Sequence, residues 1–227
     1  MSIYAIGDLH LPGGVGKTMD KFGWMGHKEK IFADWEEKVG DEDAVLLVGD
    51  ISWAMNLQQA EGDLLEISAM KGKKFMIRGN HDYWWSGLAK MSALFPQISF
   101  VQNNSFLYED CAVCGSRGWL CPNDVWFTPK DLKIYQREVG RLRLSLEKAA
   151  ALSPRRIIAM IHYPPMNDKH EPSLFTDLFE SFSVSKVVYG HLHGEESFPA
   201  GFQGRKNGVD YRLVSCDYTE FKLKKIL

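Results

Sequence analysis

Five of the seven histidines in this 227-residue chain, together with Asp8, Asp50, Asn80 and Asp82, fall in five short polar segments. These are Asp8-Leu9-His10, Gly49-Asp50, Gly79-Asn80-His81-Asp82, the single His162, and Gly190-His191-Leu192-His193-Gly194; only His27 and His170 lie elsewhere. Carboxylate and amide oxygens mixed with neutral imidazoles make donor shells that suit Mn, Fe, Zn or Ni, whereas an all-thiolate set would favour Zn or iron–sulfur. In Asp8-x-His10 and His191-x-His193 an extended backbone sends both side chains to one side. Taken singly, each string has an ordinary explanation. Asp8 or Asp50 can be turn or cap residues, Asn80 a helix cap ahead of Tyr83-Trp84-Trp85, and His162 a core residue. Yet Gly-Asn-His alone is expected by chance at roughly one position in ten thousand. The joint pattern is what points to a metal site.

Such strings need a scaffold that brings them together. Apolar, β-branched runs at residues 2–6, 44–48, 73–77, 156–161 and 186–189 read as buried strands. Between them, residues 28–39, 57–70, 83–94 and 132–152 carry apolar side chains at helical spacing, and Gly40 and Gly72 follow two of these as stops. Every polar string follows a strand, and sites in α/β sheets form beyond the carboxyl ends of strands. Five segments therefore deliver Asp, Asn and His to one edge of one sheet. Residues 98–115 read as a meander of short strands, and 209–214 as a final strand. Residues 11–27, rich in glycine and lacking a period, read as a functional or a passive surface loop. With Lys17, Trp24 and His27, that loop is a candidate substrate lid. Lys17-Thr18 is no P-loop, because residue 11 is Leu where that motif needs Gly.

GDLH at 7–10, GD at 49–50, GNHD at 79–82, His162 and GHLH at 190–193 resemble the five signatures of the calcineurin-like metallophosphoesterases. The resemblance runs from residue 7 to residue 193 with no signature missing. It implies an α/β fold, a four-layer β-sandwich of two mixed sheets flanked by helices, as a single domain over residues 1–227. It implies two divalent metal ions drawn from Mn, Fe, Zn or Ni, with manganese favoured. Asp8, His10 and His193 would hold one, Asn80, His162 and His191 the other, and Asp50 would bridge them. The implied reaction is hydrolysis of a phosphodiester or phosphomonoester, of a small or nucleotide-like substrate, by a hydroxide shared between the metals. His81 would lie beside the phosphoryl group, as a catalytic residue with Asp50, steadying its oxygens or protonating the leaving alkoxide. One departure stands out. Many relatives carry an acid a few positions after GD that orients the GNH histidine, but here Ile51-Ser52-Trp53-Ala54 follows. His81 needs another partner, such as Asp82 or a backbone carbonyl.

The net charge of −2 and a pI near 6.4 show no basic footprint for nucleic acid, so a small-molecule phosphoester is the expected partner. A nuclease, or a catalytically weak metal-binding scaffold, are the competing readings. No secretory leader opens the chain and no apolar stretch reaches bilayer length, which gives a cytoplasmic protein with no membrane partner. Four cysteines without a leader argue against a disulfide framework. Cys111 and Cys114 would face opposite sides of a strand, which defeats a shared metal. Of Trp53, Trp84 and Trp85, at least two are expected to be ordinary packing residues, and any other to wall a flat leaving group. Arg117 is a phosphate contact or a surface arginine.

Overall fold

The computed structural model describes residues 1–123, 125 and 127–227. The first half runs β1 (Ile3–Ile6), α1 (His27–Lys38), β2 (Ala44–Leu47), α2 (Leu57–Ala69), β3 (Lys73–Met76), α3 (Leu88–Leu94) and β4 (Ile98–Phe100). There follow β5 (Ser105–Tyr108), β6 (Cys111–Ser116), α4 (Pro129–Ala151), β7 (Arg156–Ile161), α5 (Leu174–Ser181) and β8 (Lys186–Tyr189). Three strands close the chain: β9 (Gly204–Lys206), β10 (Val209–Leu213) and β11 (Lys224–Lys225).

Two mixed sheets result, ordered β11-β1-β2-β3-β4 and β5-β6-β7-β8-β10-β9. Strands β1 to β4 are mutually parallel, as are β6, β7, β8 and β10, and antiparallel strands sit only at the sheet edges. Parallel strands buried on both faces read as continuous apolar runs. That is what Ala44–Leu47 and Arg156–Ile161 present, with every residue after Arg156 buried. One core lies between the sheets, where Ala5, Leu46 and Phe75 meet Val113, Met160 and Val188. A second packs α1, α2 and α3 on the first sheet, with Trp35 and Leu64 fully buried, and a third packs α4 and α5 on the second sheet. The layers are helix, sheet, sheet, helix, as the motif resemblance implies.

Local chemistry fixes the element ends. Helix α4 opens on a capping box in which Thr128 and Asp131 exchange side-chain and backbone bonds, with Pro129 in the first turn. Helix α5 opens likewise on Ser173 and Thr176. Three sequence readings change. The helix expected over 83–94 begins only at Leu88, because residues 82–85 form a turn in which Trp85 N–H donates to the Asp82 carbonyl and Trp84 is buried. The expected meander is broken: β5 and β6 form a hairpin, but β4 pairs in parallel with β3 in the other sheet. Helix α5, only eight residues long, is too short for its period to emerge from the sequence. No helix among the described residues is long and apolar enough to cross a membrane.

Candidate metal centre

The site draws on both sheets, where a single sheet edge was expected. Asp8, Asp50, Asn80 and His81 follow β1, β2 and β3 of the first sheet; His162, His191 and His193 follow β7 and β8 of the second. The carboxyl ends of the two sheets meet, and the turns there are hydrogen-bonded to one another. Asp8 N–H donates to the Gly49 carbonyl at 2.9 Å, and His10 N–H to the Asp50 carbonyl at 3.0 Å. Gly190 N–H donates to the His162 carbonyl at 3.1 Å. Asp8, His10, Asp50 and His191 all occupy left-handed backbone, with φ of 62°, 45°, 51° and 74°. Such conformations cost about 1–3 kcal/mol each in non-glycine residues and cluster at functional sites. The Gly49-Asp50 and Gly79-Asn80 pairs have a steric reason. A Cβ on Gly49 would stand 2.7 Å from Gly79 N and 2.8 Å from His162 Nδ1, and one on Gly79 would strike the Asp50 carboxylate.

Asp8, His10 and His193 form one tight donor group, and Asp8, Asp50 and His162 a second, with ligand atoms within 4.8 Å of one another in each. Asp50 Oδ2 faces His10 Nε2 at 3.9 Å on one side and His162 Nε2 at 3.5 Å on the other. Asn80 Oδ1 lies 2.8 Å from His162 Nε2. The His191 ring stands outside both groups, 5.1 Å from the His162 ring and 4.0 Å from that of Tyr163. Its backbone N–H donates to both Asp8 carboxylate oxygens, at 3.0 and 3.1 Å.

This donor set fits divalent cations. His162 Nδ1–H donates to the Val48 carbonyl at 3.0 Å, and His193 Nδ1–H to Asp217 at 3.1 Å, which turns both Nε2 atoms toward the carboxylates. That outer support is the usual companion of a metal-binding histidine. Burial works to raise the Asp8 carboxyl, yet His193 and His162 outweigh it and hold it low. Burial likewise opposes the charge on His162 and His193, but Asp50 and Asp8 raise the first to about 9, and Asp8 with Asp217 raises the second to about 10. His10 and His191 go the other way, pushed down by burial to about 4 and about 3. Two buried carboxylates thus stay ionised by recruiting protons onto two imidazoles, the charge that cations would supply.

His81 does not use Asp82. The Asp82 carboxylate is fully buried and accepts from Ile51 N–H, Ser52 N–H and Gly79 N–H, at 2.8, 3.2 and 2.7 Å, and from Trp84 Nε1–H at 2.9 Å. It ties the Asp50 turn to the Asn80 turn. The His81 ring packs 4.8 Å from Trp53, whose other neighbour is His10, stacked at 4.5 Å with ring planes 20° apart. Where relatives place an acid after GD, this chain places an aromatic wall. Its His81 N–H is anchored instead, donating to Asp50 Oδ1 at 2.7 Å.

The remaining candidates separate cleanly. Trp84 is core and Trp85 packs on Phe100, so two of the three tryptophans are packing residues and Trp53 belongs to the site. Arg117 pairs with the buried Glu138 at 3.2 Å. All four cysteines are buried and free; Cys111 faces the inter-sheet core and Cys114 the helix side. Sequence reasoning missed Asp217, whose carboxylate also accepts from Gly194 N–H at 2.8 Å. Its one signal was a place just past the last long strand. It also missed Asp63, which accepts from Ser52 Oγ at 2.5 Å and from Gly13 N–H at 2.8 Å, mooring the 11–27 loop.

The chain is similar to several known proteins in sequence or fold. An uncharacterized metallophosphoesterase of Helicobacter pylori (strain ATCC 700392 / 26695) is 26% identical over 178 residues, 75% of this chain. The match covers 42% of that relative, so this chain spans less than half the relative's length. A solved structure from Thermus thermophilus superposes with a TM-score of 0.59 at 14% identity, over 98% of this chain and 96% of that one. A protein of unknown function from Aquifex aeolicus gives 0.54 at 13%, over 99% and 95%. Residues 1–195 match the calcineurin-like phosphoesterase family, and the chain belongs to that family.

Proposed function

We propose that this protein hydrolyses phosphoester bonds of a small or nucleotide-like substrate at a centre of two divalent metal ions, with manganese favoured. The observation that carries the reading is Asp50, whose carboxylate lies between His10 on one side and His162 on the other. Asp8, His10 and His193 would hold one ion, Asn80, His162 and His191 the other, with Asp50 shared. Two ions so held supply an activated water and neutralise charge on the phosphoryl oxygens. Burial lowers the His81 pKa, so its imidazole is neutral near pH 7 and can donate one hydrogen bond to a phosphoryl or leaving oxygen. Trp53 holds that ring in place through a tilted ring contact rather than charge. The near-neutral composition favours a small molecule over nucleic acid.

The test is hydrolysis of bis-p-nitrophenyl phosphate and p-nitrophenyl phosphate by chelator-stripped protein refilled with Mn, Ni, Co, Zn, Fe or Mg. Asp50→Asn serves as the control. Turnover that needs added metal and vanishes in the variant supports the proposal, and the better ester tells diester from monoester preference. Metal uptake without hydrolysis of either ester would favour the scaffold reading.

A further inference from the structure

The glycine-rich 11–27 segment folds over one flank of the metal centre. Met19 and Trp24 are buried there, while Phe22 stays 58% exposed. With Trp53 they wall a cleft of about 380 Å³ whose inner end is formed by His10, His81 and His193. A cleft of this size accommodates a small-molecule group rather than a single water. Its mouth carries two ammonium groups. Lys17 Nζ stands 3.0 Å from the centre of the Trp53 ring, and Lys21 Nζ 4.9 Å from that of Phe22. Among the described residues neither has a carboxylate within ion-pair distance. Partial burial and the nearby charge of Lys21 together lower the Lys17 pKa. Asp217, the acid lining the cleft, is committed to His193 and Gly194.

Two unpaired cations beside aromatic walls, at the mouth of a cleft that opens from the metal ligands, form a complementary surface for an anion with a flat body. We propose that the leaving group of the substrate occupies this cleft, and that it carries an apolar or planar body and an anionic group of its own, neutralised by Lys17 and Lys21. This rests on the phosphoesterase reading for which part of the ligand is cleaved, but the binding surface stands apart from it. Trp24 and Trp53 contact the body, 5.2 Å from the His193 ring and 4.5 Å from the His10 ring. A nucleoside phosphate has this chemistry; a simple nitrophenyl ester lacks the second anion.

The experiment measures binding of AMP and of adenosine to metal-free protein by tryptophan fluorescence and calorimetry. Stripping the metals removes their attraction for phosphate, and the protonated His193 acts alike in wild type and lysine variant, so the drop in AMP preference between the two reports on the lysines. Two exposed charge pairs predict that AMP binds about tenfold tighter than adenosine at low salt. That margin should shrink as salt is raised and fall severalfold in Lys17→Ser/Lys21→Ser. Both lysines are exposed, so the variant is expected to fold, which circular dichroism checks. Equal affinity for the two ligands, a margin undiminished in the variant, or no binding by either would overturn the proposal. Hydrolysis of simple esters by the wild type, run alongside, keeps the two ideas separate: it can succeed while the AMP margin is absent, and fail while the margin is present.

Discussion

Asp82→Asn tests the charge balance behind the site. The Asp82 carboxyl is pushed up from 3.8 to about 6, first by burial and then by the neighbouring Asp50 charge, against the pull of its three backbone N–H donors. The acid is raised in the folded state, so between these values the unfolded chain binds fewer protons and stability falls as pH rises. A shift of two units amounts to about 3 kcal/mol, nearly absent at pH 4 and fully developed by pH 7.5. Asparagine has the shape of the protonated acid and leaves one oxygen to accept from Ile51, Ser52 and Trp84, but its NH2 meets Gly79 N–H, the donor to the second carboxylate oxygen, at a cost of about 1–3 kcal/mol. In metal-free protein the variant should therefore be less stable than the wild type by about 1–3 kcal/mol near pH 4, and its standing relative to the wild type should improve by about 3 kcal/mol between pH 4 and pH 7.5. Urea denaturation in chelator at both pH values, with unchanged slope, measures this. Asp82→Ala, which leaves four buried donors unpaired, should lose several kcal/mol at either pH, at about 1–3 kcal/mol per group. A variant whose stability relative to the wild type does not improve between pH 4 and pH 7.5 would show that the ionised carboxylate is not disfavoured in these turns, and the reasoning would fail.

Three further outcomes are expected. His81→Ala should lower turnover while metal content, read by elemental analysis, stays intact; lost metal would make His81 a ligand. Asp217→Ala should weaken metal binding by roughly 10- to 100-fold in a chelator competition, because His193 loses the partner that orients it. At pH 7 the metal-free protein carries protons on His162 and His193, raised to about 9 and about 10. Ligation requires them neutral, so loading should release about two protons and apparent affinity should climb with pH toward those values. Calorimetry in two buffers of different ionisation heat counts them, and no release would remove both histidines from the ligand set.

Much of this was legible in the chain because the strings after the strands are short and covalently fixed. Gly49-Asp50 and Gly79-Asn80 sit at positions where the adjoining turn leaves no room for a Cβ, and that crowding shows in sequence as a glycine before each polar residue. The strands Arg156–Ile161 and Lys186–Tyr189 carry the expected bounds, since a doubly buried parallel strand is apolar throughout. What stayed hidden depends on pairings across distance. Nothing within residues 98–116 says that β4 and β5 belong to different sheets. Asp82 stands next to His81, and adjacency suggested a partnership, whereas its carboxylate turns to the Asp50 loop 31 residues away. Asp217 reaches His193 across 24 residues that carry no motif.

The proposed ligands divide between the sheets, three on turns of the first and three on turns of the second, with Asp50 reaching across. Any ion held by His162 and Asp50 together therefore joins the two halves of the sandwich at one end, like a rivet through two plates. The far end is closed by apolar contact between the sheets and by the Tyr108 hydroxyl, which donates to the Glu42 carbonyl. Removing the ions should loosen the molecule unevenly, so that amides near Gly49 and Gly190 exchange sooner while those at the opposite ends of the same strands keep their protection.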